Sequence, residues 1–200
     1  MSYLYLKHNS HLVFDPTYPI LDVCGFDQYG WTTCYVNVKE SVPSNAPEPL
    51  GISVVLRAIV DSDHAGDKTT RRSCTGYFIC LNQALIWWIY KRQPTIAYAF
   101  FGNEFVALKN FMESLRENCY KLCMMGVPIN GPSLVQGDNM SVILNLTRPQ
   151  STLTKKSNSI CYHAVHEAVA MNEFLLGQIS THDNCSDILK KVTYDGKRVK

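Results

Sequence analysis

Ser53-Val54-Val55-Leu56-Arg57-Ala58-Ile59-Val60, halted by Asp61-Ser62-Asp63-His64-Ala65-Gly66-Asp67, is the stretch that decides the fold class. Eight mostly apolar, β-branched residues read as a buried strand, and the cluster of turn formers ends it. Gly76-Tyr77-Phe78-Ile79-Cys80-Leu81 is a second strand. Asn82-Gln83 is a tight turn, and Ala84 to Tyr90 is a third strand. Tight connections make the three an antiparallel meander.

Downstream, the pattern changes period. Phe105, Leu108, Met112, Leu115, Cys119 and Leu122 recur at steps of three and four, giving one apolar stripe on a helix from about Gly102 to Met125. Gly126 and Pro128 stop it. Ser133 to Gln136 is a fourth strand, and Gly137-Asp138-Asn139 leads into a helix over Met140–Leu146. A further helix is predicted over roughly Asn158 to Phe174, a short strand over Gln178–Thr181, and a last helix from near Asn184. Meander first and alternation later implies an α/β fold with a mixed sheet, helices on its faces. Upstream, residues 1–50 end in a stretch carrying Pro43, Pro47 and Pro49, and read as an extended connector.

Composition bounds the function. The 200 residues are 46% apolar and 18% charged, with 19 Lys and Arg against 17 Asp and Glu. That is one globular domain, not a basic nucleic-acid coat or an acidic tail. A nucleic-acid enzyme with a local basic face remains open. No apolar run approaches the length of a membrane span, and Met1–Lys7 lacks the pattern of a signal peptide, so a cytosolic chain with eight free thiols is expected.

Four acids occupy similar positions: Asp61 ends the first strand, Glu104 opens the long helix, Asp138 ends the fourth strand and Asp187 begins the last helix. Strand ends and helix starts gather along one edge of an open sheet. Carboxylates gathered there repel one another unless a divalent cation neutralises them, and hard oxygen ligands suit Mg²⁺ or Mn²⁺. Each acid also has a plainer reading. Asp138 is placed to cap its helix, Glu104 and Asp187 to meet a helix dipole, and Asp61 to form a turn.

The same residues carry a resemblance. Val60-Asp61-Ser62-Asp63-His64-Ala65-Gly66-Asp67-Lys68-Thr69-Thr70-Arg71-Arg72-Ser73-Cys74-Thr75-Gly76-Tyr77 resembles the "SDADWAGDxxTRRSTSGY" signature of copia-type retrotransposon polyproteins. Lys91-Arg92-Gln93-Pro94-Thr95 is similar to their next segment, Phe101–Leu108 to "TEAEYIAL", Gly137–Ile143 to "CDNQSAI", and Thr181–Lys191 to "TEDQLADILTK". The departures are His64 for Trp, Phe100 and Phe101 for small polar residues, and Lys156-Ser157-Asn158-Ser159 for "KHID".

The resemblance implies a ribonuclease H-like domain over residues 51–192: a five-stranded mixed sheet, an antiparallel meander of three plus two parallel strands, flanked by helices. It makes residues 1–50 a connector from an upstream reverse transcriptase, leaving 193–200 as a loose tail. It implies cleavage of the RNA strand of RNA–DNA hybrids, with Asp61, Glu104, Asp138 and Asp187 as catalytic acids. In this reading they hold two Mg²⁺ or Mn²⁺ ions. Asp61 and Asp138 bridge, while Glu104 completes one site and Asp187 the other. Phosphate contacts are expected from Arg71, Arg72, Lys91, Arg92, Lys155 and Lys156, and an accessory role in product release from His182. Partners are the hybrid and the polymerase segment of the same polyprotein, in the cytoplasm within the element's virus-like particle, or in the nucleus. The alternative is an inactive remnant that binds nucleic acid or only supports the polymerase. Phe101 turned into the cleft would favour the remnant, and an apolar patch from residues 1–35 the supporting role. Cys161, His163, His166, His182 and Cys185 offer zinc ligands, but the first three do not share a helix face, so packing roles are expected. Strand alternation makes at least one of Trp87, Trp88 and Tyr90 a core residue, and core is the favoured reading, with base stacking as the rival.

Overall fold

The computed structural model describes residues 26, 30–31, 44–67, 69–94, 100–152, 159–186 and 189. Five strands form one sheet in the order β3-β2-β1-β4-β5, with β1 (Leu56–Ser62) at its centre. β2 (Cys74–Leu81) and β3 (Ala84–Arg92) run antiparallel to their neighbours, while β4 (Ser133–Gly137) and β5 (Phe174–Gln178) extend the other side in parallel. This is the expected mixed sheet.

The β2–β3 turn explains its own sequence. Asn82 adopts φ 54°, a left-handed value that Asn tolerates better than most residues. Its backbone N–H donates to Val55 O (2.8 Å), and its side-chain Oδ1 accepts from Val55 N (2.9 Å). The turn is thus tied to the chain entering β1. That entry is not strand: Val54 makes a single bridge to Ile129, and β1 starts three residues later than predicted and reaches Ser62.

Helix α1 (Phe100–Met124) lies across β1 and β2. Its predicted stripe is the face turned inward: Phe105, Leu108, Met112 and Leu115 are buried, with Cys119 and Leu122 half-buried against the same core. Leu56, Ala58 and Val60 of β1 and Tyr77 and Ile79 of β2 complete that core. Helices α2 (Met140–Thr147) and α3 (Ser159–Ala170) pack beside α1 and β5.

Two expectations fail here. The helix predicted to Phe174 stops at Ala170, and Phe174–Gln178 is β5 rather than Gln178–Thr181. Asn172 at φ 59° breaks the helix, and Glu173 N bonds back to Ala168 O, after which the chain turns into the sheet. Trp87, Trp88 and Tyr90 are not core residues but 39%, 57% and 38% exposed, because β3 is an edge strand with little packed over it.

The opposite face of the sheet carries a smaller cluster of Val55, Leu134 and Leu175. Phe26, from the predicted connector, packs there, its ring so close to Gly177 that a Cβ on that glycine would lie 2.7 Å from it. Trp31 packs on the helix side, its ring edge-on to His166 at 4.8 Å. Within the segment read as a connector, Phe26 and Trp31 therefore pack on the domain. Among the described residues, no helix is long and apolar enough to cross a membrane.

Candidate active site

Asp61 is the penultimate residue of β1, Glu104 the fifth residue of α1, and Asp138 the residue after β4. One carboxylate oxygen from each lies within 4.8 Å of the others. The plainer readings of all three acids fail. Helix α1 begins two residues earlier than predicted, so its first turn holds no acid, and Glu104 sits too deep to serve the dipole. The cap of α2 is Asn139, whose side chain accepts from Val142 N at 3.3 Å, not Asp138. Asp61 is not in a turn but in the strand, with 1% of its surface accessible.

Electrostatics makes the cluster demanding. Glu104 is 4% exposed, and burial pushes its carboxyl up to about 8. Polar contact with Ser62 opposes this, and the negative Asp138 adds to it. Glu104 Oε1 has no hydrogen-bond partner in the described structure. A buried carboxylate oxygen without a donor, beside two further carboxylates, fits a hard divalent cation. Asp61, Glu104 and Asp138 are the residues to hold it.

The loop after β1 is organised by the other two aspartates of the signature. Asp63 accepts from Cys74 N and packs against Gly66, where a Cβ would fall 2.0 Å from Asp63 Oδ2. Burial raises its carboxyl, while backbone bonds from Cys74 and Gly66 oppose the shift. Asp67 accepts from Thr69 N (2.9 Å) and Thr70 Oγ1 (2.7 Å) and pairs with Arg92 at 2.8 Å. Those bonds, Thr70 first, hold its carboxyl below the usual range. Sequence reasoning placed both in a cluster of turn formers but did not assign either its task.

Of the predicted phosphate contacts, Arg71, Lys91 and Arg92 are exposed and Arg72 is half-buried. Arg71 sits at φ 55° at the end of the Asp67 turn. His182 is exposed in the turn after β5, and the carboxylate cluster includes no histidine. Asp187, Lys155 and Lys156 lie outside the described residues, as do most of the connector, the tail and the bounds of the last helix. Ser186 and Leu189 are described, and both lie against Gly76, the register partner of Asp61. Among the described residues the carboxylates form the one cluster able to hold a metal, so the zinc set is not assembled.

No family model matches the chain. It is 27% identical over 141 residues to the retrovirus-related Pol polyprotein from transposon RE1 of Arabidopsis thaliana, covering 70% of this chain and 10% of that protein. A match to the polyprotein from transposon TNT 1-94 of Nicotiana tabacum is 26% identical over 152 residues, 71% of this chain and 11% of the other. The chain thus spans about a tenth of the length of the curated relatives it matches. Among solved structures, LC11-RNase H1, isolated from compost, superposes with TM-score 0.52 at 12% identity, over 68% of this chain and 91% of its own. The same enzyme in complex with an RNA/DNA hybrid gives TM-score 0.52 at 12% identity, over 67% of this chain and 92% of the other. RNase H1 from the halophilic archaeon Halobacterium salinarum gives 0.50 at 12% identity, over 73% of this chain and all of the other. The chain therefore has a ribonuclease H-like fold, and its sequence is similar to a stretch of plant retrotransposon Pol polyproteins, in line with the copia-type resemblance of its motifs.

Proposed function

We propose that this chain is a metal-dependent endonuclease that cleaves the RNA strand of RNA–DNA hybrids, as one segment of a retrotransposon polyprotein. The observation that carries it is the convergence of three carboxylates from three separate elements, two of them buried, with oxygens within 4.8 Å. No fold requires that arrangement, because like charges so placed destabilise it. A divalent cation held there supplies charge neutralisation and Lewis-acid stabilisation of a phosphate. Asp61 and Asp138 present their oxygens from the sheet, and Glu104 from the helix above. Burial of Glu104 keeps competing water from its oxygen. Asp187 is the proposed fourth ligand, supported by its neighbours Ser186 and Leu189 lying against the strand partner of Asp61. The solved hybrid complex of the similarly folded LC11-RNase H1 supports the substrate class. Arg71, Arg72, Lys91 and Arg92 are the proposed phosphate contacts, and the upstream polymerase segment the covalent partner.

Phe101 supports turnover over the remnant reading. Its ring packs inward, edge-on to Phe105 at 4.7 Å, rather than into a cleft. The test is hydrolysis of an end-labelled hybrid with Mg²⁺. The unsubstituted chain cleaves only with the metal, and Asp138→Asn loses at least about 10²-fold in rate. A folded chain that cleaves no hybrid with either Mg²⁺ or Mn²⁺ rejects the proposal.

A further inference from the structure

Glu104 rides on the end of α1, where a helix is held least firmly. The first turn has amide groups without ladder partners and is the part that frays. Asn103, the fourth residue of α1, has no accessible surface and directly precedes Glu104. Its carbonyl is engaged from outside the helix. Gln93, the residue after β3 and 1% exposed, donates from Nε2 to Asn103 O and to Thr75 Oγ1, both at 3.0 Å. Thr75 is the register partner of Ser62, which follows Asp61 in β1 and makes the polar contact with Glu104. One side-chain amide thus joins the helix just before Glu104 to the sheet just across from the residue after Asp61.

Gln93 is itself held in place. Its backbone N–H donates to Ser73 O at 2.7 Å, and the preceding Arg92 pairs with Asp67 at 2.8 Å. Both protons of its Nε2 are used, while its buried Oε1 has no hydrogen-bond partner in the described structure. A buried amide with an orphaned oxygen costs stability relative to an apolar side chain of the same length. Fold stability alone therefore explains a glutamine here poorly. A tether between helix and sheet explains it better.

We propose that Gln93 is a positioning residue for the metal site, its amide holding Glu104 at the separation from Asp61 that a divalent cation requires before the cation arrives. The proposal rests on the nuclease reading above in taking the three carboxylates as a metal site. Like charges push the elements that carry them apart until an ion binds, so affinity depends on how firmly those elements are held. Supports of this kind, outside the ligands themselves, commonly carry about ten- to a hundredfold in metal affinity.

The test measures Mn²⁺ binding to the 200-residue chain by electron paramagnetic resonance, beside hybrid cleavage as a function of Mg²⁺. Gln93→Met, which keeps the length and loses both donors, is expected to weaken Mn²⁺ binding at least about tenfold. The Mg²⁺ concentration for half-maximal cleavage rises by the same factor, and the rate at saturating Mg²⁺ stays within about threefold. Thr75→Val, which cuts the tether at its sheet end, weakens Mn²⁺ binding about threefold. Phe26→Ala, which removes packing from the opposite face of the sheet, leaves Mn²⁺ affinity unchanged. Thermal unfolding establishes that each variant is folded. Unchanged Mn²⁺ affinity in Gln93→Met overturns the proposal, as does an equal loss in Phe26→Ala, which a general loosening of the fold would produce. If Gln93→Met does not fold, Thr75→Val decides, and unchanged affinity there overturns the proposal. Mn²⁺ binding without cleavage by the unsubstituted chain rejects the nuclease reading and leaves the comparison of affinities intact, whereas no Mn²⁺ binding at all rejects both.

Discussion

Glu104 concentrates the tension of the site in one group. In the unfolded chain its carboxyl titrates near its ordinary 4.5, and in the folded, metal-free protein near 8. The folded state therefore holds the proton more tightly. Its contribution to stability is present in full below pH 4.5 and is lost as pH rises through 8. Unfolding measured in chelator should show stability falling between these values by roughly 1.4 kcal/mol per pH unit at the steepest, relative to Glu104→Gln, which lacks the titration. Equal slopes for the two proteins would show that Glu104 is not protonated in the fold. Mg²⁺ should abolish the difference by binding the ionised form. Gly66 makes a second residue-scale case. Any Cβ there displaces Asp63, which caps the loop on Cys74 N, so Gly66→Ala should cost about 1–3 kcal/mol in chemical denaturation. The carboxylates were legible because residue type and strand-end position suffice to nominate them. The tasks of Asp63 and Asp67 were not, because a run of aspartates does not say which one ends a strand and which close a turn.

At the scale of elements, the three-stranded meander and α1 were readable from period, since an apolar stripe of six residues admits few other structures. The end of α3 was not. Phe174-Leu175-Leu176 contains no β-branched residue, and its spacing continues the helical pattern. What ends the helix is one left-handed residue, Asn172, and a bond from Glu173 N to Ala168 O. The exposed tryptophans failed for a related reason. Alternation along β3 is a local property, whereas its edge position follows from the strand order, which is not. Asn139 shows an element serving the site. It caps α2 immediately after Asp138, so the chain leaves β4 and enters the helix at a fixed angle. Asn139→Ala should lower stability by about 1 kcal/mol. Because Asp138 itself remains, hybrid cleavage at saturating Mg²⁺ should fall far less than in Asp138→Asn. A loss as complete as that of Asp138→Asn would mean that the cap, not the carboxylate alone, builds the metal site.

For the molecule as a whole, the packing of Phe26 and Trp31 on the sheet and helices is the property that sequence concealed most fully. Residues 1–50 look like a linker because prolines and polar residues dominate their end. Yet Phe26 covers Gly177 on one face of the sheet, and Trp31 meets His166 on the other, contacts that span more than a hundred chain positions and leave no local signature. The two aromatics therefore pack on the domain from opposite sides of the sheet, Phe26 on β5 at Gly177 and Trp31 on His166 of α3. An aromatic removed from such a half-buried site leaves its partners open to water, so Phe26→Ala and Trp31→Ala should each destabilise the domain by about 1–3 kcal/mol. They touch separate clusters on opposite faces, so their effects should add within about 0.5 kcal/mol in the double variant. Gly177→Val should mimic Phe26→Ala by expelling the ring, and adding it to Phe26→Ala should bring little further loss. Chemical denaturation of the five variants checks this set. If Trp31→Ala and Phe26→Ala leave the midpoint unmoved, the segment is only a tether, and the domain is complete without it.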